Sequence, residues 1–152
     1  MMEFLDRNFE YGGTIEHLDK TKGNFYGVYM FVLPKDFGEF EFKAHSTSGK
    51  WKGKNPDVSV EKLKEEWCDG AEILYIGKRE KKTVYKRVLE HKNFLSGKPI
   101  SAWGGRIIGQ IPNYEKLEVW YLKCDNPTEM KEKLLQDFKK QYKKLPFANL
   151  KG

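Results

Sequence analysis

The sequence predicts an α/β or α+β domain, a small mixed β-sheet flanked by helices. Two apolar, aromatic and β-branched runs, Phe25–Leu33 and Glu72–Gly77, have the length and composition of core strands. Two longer stretches carry helix start and stop signals, and the 152 residues suit one domain.

Residues 1–24 mix polar residues with turn signals and read as an irregular lead-in with room for one short strand. The domain proper spans 25–152. Phe25–Leu33 reads as a strand buried on both faces and closed by Pro34. Phe37–Phe42 alternates apolar and polar residues, the pattern of a half-exposed strand. Residues 46–57 are a polar loop, and Ser59 is placed to cap a short helix over 60–67 that ends by Gly70. Residues 34–71 thus form an insertion between the first two core strands, which loops tolerate at modest entropic cost.

Glu72–Gly77 is the second core strand, and Thr83 is placed to cap a helix over 84–94 that Ser96-Gly97-Lys98-Pro99 stops. Trp103–Arg106 reads as a loop, and Ile107–Ile111 and Leu117–Cys124 as two more strands parted by Pro112-Asn113. Thr128 is placed to cap a long helix running to about Lys143.

Charge adds a functional hint. The net charge is +6, yet residues 1–76 hold 10 basic and 14 acidic residues while residues 77–152 hold 18 basic and 8 acidic. A half at +10 suits a polyanion, most often nucleic acid, and the competing reading is a lysine-rich solvated surface. Aromatic content of 14% argues against a disordered chain. The longest apolar run is too short to span a bilayer, and the N-terminus has no secretory pattern, so a cytoplasmic protein without membrane association is expected. Cys68 and Cys124 alone make neither a disulfide framework nor a zinc site.

Three segments carry the chemistry. Gly27-Val28-Tyr29 lies in the first core strand, and Tyr75-Ile76-Gly77-Lys78 ends the second. Arg87 and His91 follow in the next helix, four residues apart and so on one face. Gly77 lets the chain turn out of the strand or lets another backbone approach closely. Read singly, the tyrosines suit a core and the Arg-His pair a solvated helix face.

In this order, with Asn149 near the end, these parts resemble the GIY-YIG endonuclease superfamily, over about Tyr26 to Asn149. That group includes homing endonucleases, nucleotide-excision repair nucleases and some restriction enzymes. The resemblance implies an endonuclease that hydrolyses DNA phosphodiesters with a divalent cation, Mg2+ or Mn2+. Tyr29 and Tyr75 would orient or deprotonate the water, Arg87 would stabilise the phosphate in the transition state, and His91 would move a proton or hold a tyrosine. Lys78 could contact a phosphate, Gly77 would border the substrate, and Asn149 would hydrogen-bond within the site and support it beside the substrate. Arg106, after Gly104-Gly105, is a further candidate for phosphate contact.

The resemblance also implies one metal-binding glutamate early in the last helix, three residues before a leucine pair. Three residues before Leu134-Leu135 stands Lys131, with Glu132 next to it. With Met130 as origin, the stripe through Leu134, Phe138 and Tyr142 centres at about 70°, Lys131 falls at about 100° and Glu132 at about 200°. Either the local register differs and Glu132 holds the metal, or the metal site is lost. A catalytically weak or inactive nucleic-acid-binding module is therefore the alternative, and a protein-interaction domain with an acidic partner the third.

Of the remaining candidates, Trp51 sits between Lys50 and Lys52 and, like Trp103, suits either base stacking or anchoring a loop. His17 and His45 read as surface residues, and Lys139, Lys140, Lys143 and Lys144 as a solvated helix face.

Overall fold

A computed structural model describes residues 8–50, 53–99 and 102–150. Its strands are β1 (Glu10–Thr14), β2 (Gly27–Val32), β3 (Ile73–Arg79) and β4 (Glu118–Lys123). Its α-helices are α1 (Val60–Glu66), α2 (Val84–Leu95) and α3 (Pro127–Tyr142). The strands form one sheet in the order β1-β4-β2-β3. All three pairings are antiparallel, so the sheet is not mixed as expected, and the fold is of the α+β kind.

β2 is central and buried along its whole length, because both faces of the sheet are covered. On one face Tyr29 and Phe31 pack with Val84, Val88 and Leu95 of α2 and with Ile107, Ile108 and Ile111. On the other, Val28, Met30 and Val32 pack with Leu134, Leu135 and Phe138 of α3. This two-faced burial explains why β2 reads as a continuous apolar run rather than an alternating one. Across the β2–β3 ladder Tyr29 pairs with Gly77 and Phe31 with Tyr75; the register then shifts so that Val32 pairs with Ile73. That shift is a bulge at Leu74, which sends Leu74 to the same core as Tyr75.

Local signals set the helix ends. Ser59 accepts a hydrogen bond from the Lys62 amide and Thr83 one from the Lys86 amide, as their sequence positions suggest. The cap of α3 is Asn126, two residues before the expected Thr128, with Pro127 in the first turn. Thr128 bonds instead to the side chains of Lys78 and Glu80.

Two expected strands are absent. Phe37–Phe42 forms no ladder: its alternating aromatics stack edge to face from Phe37 to Phe40 to Phe42, with Trp67 against the latter two. The alternation is satisfied by ring packing, and the outer edge of β3 is already taken by the C-terminal segment, where Ala148 donates to the Leu74 carbonyl at 2.8 Å. Ile107–Ile111 belongs to a 3-10 segment, Trp103–Gln110, with its end residue Ile111. Its five residues are all buried, a pattern without strand alternation, and Ser46 and Ser48 pack so closely on Gly109 that a side chain there would clash with them.

Candidate functional site

The face of the sheet under α2 gathers the two tyrosines, Arg87 and His91. Alternation in β2 points Tyr29 toward α2, and the bare Cα of Gly77 across the ladder leaves room for its ring. Arg87 and His91, one turn apart on α2, reach down onto it. The Tyr29 hydroxyl lies 2.7 Å from His91 Nε2, and the Arg87 guanidinium and the Tyr75 hydroxyl are its other hydrogen-bond partners. Glu90 holds the guanidinium from outside: Arg87 Nη1 is 2.8 Å and Arg79 Nη1 3.1 Å from the same carboxylate oxygen.

The Tyr29–His91 pair at the centre of this network is sealed. Tyr29 is 1% exposed and His91 0%. Burial, and after it the neighbouring Tyr75, push the Tyr29 phenol well above its ordinary value, and burial pushes the Tyr75 phenol up too. Burial and the Arg87 charge hold His91 well below the usual imidazole range. At neutral pH the cluster is two phenols, a neutral imidazole and a guanidinium, so Tyr29 is a buried hydrogen-bonding group rather than a base open to water.

Tyr75 lines an opening, a cavity of about 330 Å3 at the outer edge of β3. The other lining residues are Trp103, Gly104, Arg106, Lys131, Asn149 and Leu150. Gly104 keeps the cavity open to Tyr75, since a Cβ there would stand 3.0 Å from its hydroxyl. The Arg106 guanidinium lies 4.6 Å from the Trp103 ring centroid. Burial draws the Arg106 guanidinium down, and burial followed by the Lys78 charge draws the Lys131 ammonium down.

The remaining candidates separate. Lys78 alternates with Gly77 and so points to the opposite face, where its ammonium is 2.9 Å from both Glu80 and Thr128 at the start of α3. That position parts its side chain from the tyrosine rings, while its charge still reaches Lys131. Gly77 lies inside β3, which runs on to Arg79, so it does not turn the chain, and the Tyr29 ring lies against it. Asn149 borders the cavity, yet its amide is occupied: Oδ1 accepts from the Ile76 amide and Nδ2 donates to the Ile76 carbonyl, both at 2.9 Å. It acts as a rung beside β3 and so supports the site's edge.

Glu132 is exposed, while Lys131 lines the cavity, as the helical register predicts. Among the described residues no three His, Cys, Asp or Glu side chains are grouped to hold a metal, and no carboxylate lines the cavity. This donor set does not fit a divalent cation. Trp51 lies outside the described residues. His17 and His45 are exposed, with His45 Nδ1 2.8 Å from Asp57. Cys68 is buried and Cys124 partly so, both as free thiols.

Two residues that sequence reading passed over hold the site in place. Glu90 aligns Arg87, and the only signal was its spacing of three residues. Gln110 is fully buried and ties the insertion down: it donates to the carbonyls of Lys43 at 2.9 Å and Val58 at 2.8 Å and accepts from the Val58 amide at 2.9 Å. Among the described residues no helix is long and apolar enough to cross a membrane. Compared with known proteins, the chain matches no family model, no curated protein and no solved structure.

Proposed function

We propose that this protein binds the phosphodiester backbone of nucleic acid, DNA in the first instance, as a GIY-YIG-like domain whose site presents cationic side chains to phosphate. The observation that carries this reading is the convergence of Arg106, Lys131 and Tyr75 on one cavity beside the Tyr29–His91–Arg87 network. Two cations and a phenol O–H match the acceptor oxygens of a phosphate. The excess of basic residues in 77–152 supplies the longer-range field.

The buried network favours a second reading, hydrolysis with Mg2+ or Mn2+ at Glu132. Phosphate binding alone does not require a buried Tyr29–His91 pair held by Arg87, which costs desolvation to maintain. The lysine in the cavity ranks this reading second.

One experiment ranks the two and tests the first. Binding of a fluorescent DNA duplex, measured by anisotropy over a salt series, should weaken linearly in log–log form, and Arg106→Ala should lower the slope by about 1. Plasmid incubated with the protein and Mg2+ or Mn2+ should remain supercoiled. Affinity indifferent to salt removes the nucleic-acid reading, whereas metal-dependent nicking abolished by Glu132→Ala promotes the hydrolytic one.

A further inference from the structure

We propose that the cavity at the β3 edge is a metal-independent phosphate site in which the Lys131 ammonium supplies the positive charge that a divalent cation would otherwise bring. The inference rests on the nucleic-acid reading for the polymer that carries the phosphate, but not for the phosphate itself.

Charge pairing on this side of the molecule is uneven. Lys78 is paired with Glu80, and Arg79 and Arg87 share Glu90. Among the described residues, no carboxylate pairs with Lys131 or Arg106. Both are partly buried, and Lys131 has the Lys78 ammonium as its charged neighbour. A desolvated ammonium beside another ammonium is unfavourable without an anion, and a phosphate held in the cavity that Lys131 and Arg106 both line offsets that penalty. The same charges oppose entry of a divalent cation.

Shape agrees with charge. At about 330 Å3 the cavity is at the small end of ligand pockets and suits one phosphate with part of its sugar. The Arg106 guanidinium offers a planar fork of donors, Lys131 a compact charge, and Tyr75 a hydroxyl that Gly104 leaves accessible. The Trp103 ring lies 4.6 Å from the Arg106 guanidinium, whose Nη1 also donates to the Trp103 carbonyl at 3.5 Å, and the other N–H groups are left for a ligand. Asn149 spends its oxygen and one N–H on Ile76, so the cations and the phenol are the main groups that select the ligand.

The test compares wild type, Lys131→Ala, Lys131→Arg and Glu132→Ala by anisotropy of a labelled DNA duplex, in EDTA and in Mg2+ at matched ionic strength. Wild type should bind equally in both. Lys131→Ala should weaken binding about tenfold in both, Lys131→Arg should recover most of the loss, and Glu132→Ala should match wild type. Tighter binding with Mg2+ that Glu132→Ala removes overturns the inference and leaves the nucleic-acid reading standing. If wild type binds no DNA, that reading falls, and the site is judged by titrating 15N-labelled protein with inorganic phosphate in EDTA. Saturable amide shifts at Gly104, Arg106 and Lys131, absent in Lys131→Ala, then support the phosphate site, and no shifts there end it.

Discussion

Tyr29 and Gly77 are register partners across the β2–β3 ladder, and the Tyr29 ring lies where a side chain at 77 would have to stand. The glycine therefore sets where the phenol goes, and the phenol sets where His91 and Arg87 can meet it. Gly77→Ala should displace a ring that is 1% exposed and destabilise the fold by about 1–3 kcal/mol. A drop in the urea midpoint at constant m-value would show this; an unchanged midpoint would mean the ring has room to move.

Asn149 completes the open edge of β3, with its amide serving as one backbone unit of a missing strand. Asn149→Ala leaves the buried Ile76 amide and carbonyl without these partners, at roughly 2–4 kcal/mol for the pair. Hydrogen exchange at Ile76 should accelerate more than at the amide of Met30, which lies inside the sheet. If the two amides change equally, the effect is global and Asn149 is not a local clamp.

What could be read in advance follows from which residues act locally. Ser59 and Thr83 cap the helices they precede, because a side-chain oxygen and an amide three residues on suffice. Helical periodicity put Lys131 rather than Glu132 on the inner face, and Lys131 lines the cavity. Strand alternation, applied to Gly77 and Lys78, would also have separated Lys78 from the tyrosines. The segments 37–42 and 107–111 carry strand-like composition yet pair with no strand, because their partners are distant: Trp67 for the first, Ser46 and Ser48 for the second. Gln110 gave no local signal, since all its partners lie at least 52 positions away.

Those three hydrogen bonds make Gln110 the latch between the 3-10 segment and the insertion. Gln110→Ala removes them and opens a cavity, with an expected loss of roughly 2–4 kcal/mol. Limited proteolysis should then cut within 43–58 before it cuts α2 or α3. An unaltered digestion pattern would show that the aromatic stack of Phe40, Phe42 and Trp67 holds the insertion by itself.

His91 provides the pH dependence. It is fully buried, Tyr29 contacts its Nε2, and no described group bonds its Nδ1, which faces Gly105. The rings of Tyr29, Phe31 and Tyr75 pack around it from the sheet, and Arg87 is the charged group that acts on it. The folded protein therefore holds the imidazole neutral, well below its ordinary titration range. The unfolded chain takes up a proton near pH 6.5, so below that the unfolded state binds more protons than the folded one. The sign follows: stability from this residue is fully present above about pH 6.5 and is lost as pH falls toward the folded value. Over that window the slope approaches about 1.4 kcal/mol per pH unit. His91→Gln keeps a polar partner for Tyr29 but cannot titrate. Urea unfolding from pH 7.5 to 5 should show stability falling in wild type and falling less in the variant, whatever their difference at pH 7.5. Parallel curves would mean that His91 is protonated in the fold, and the neutral Tyr29–His91 pair would have to be given up.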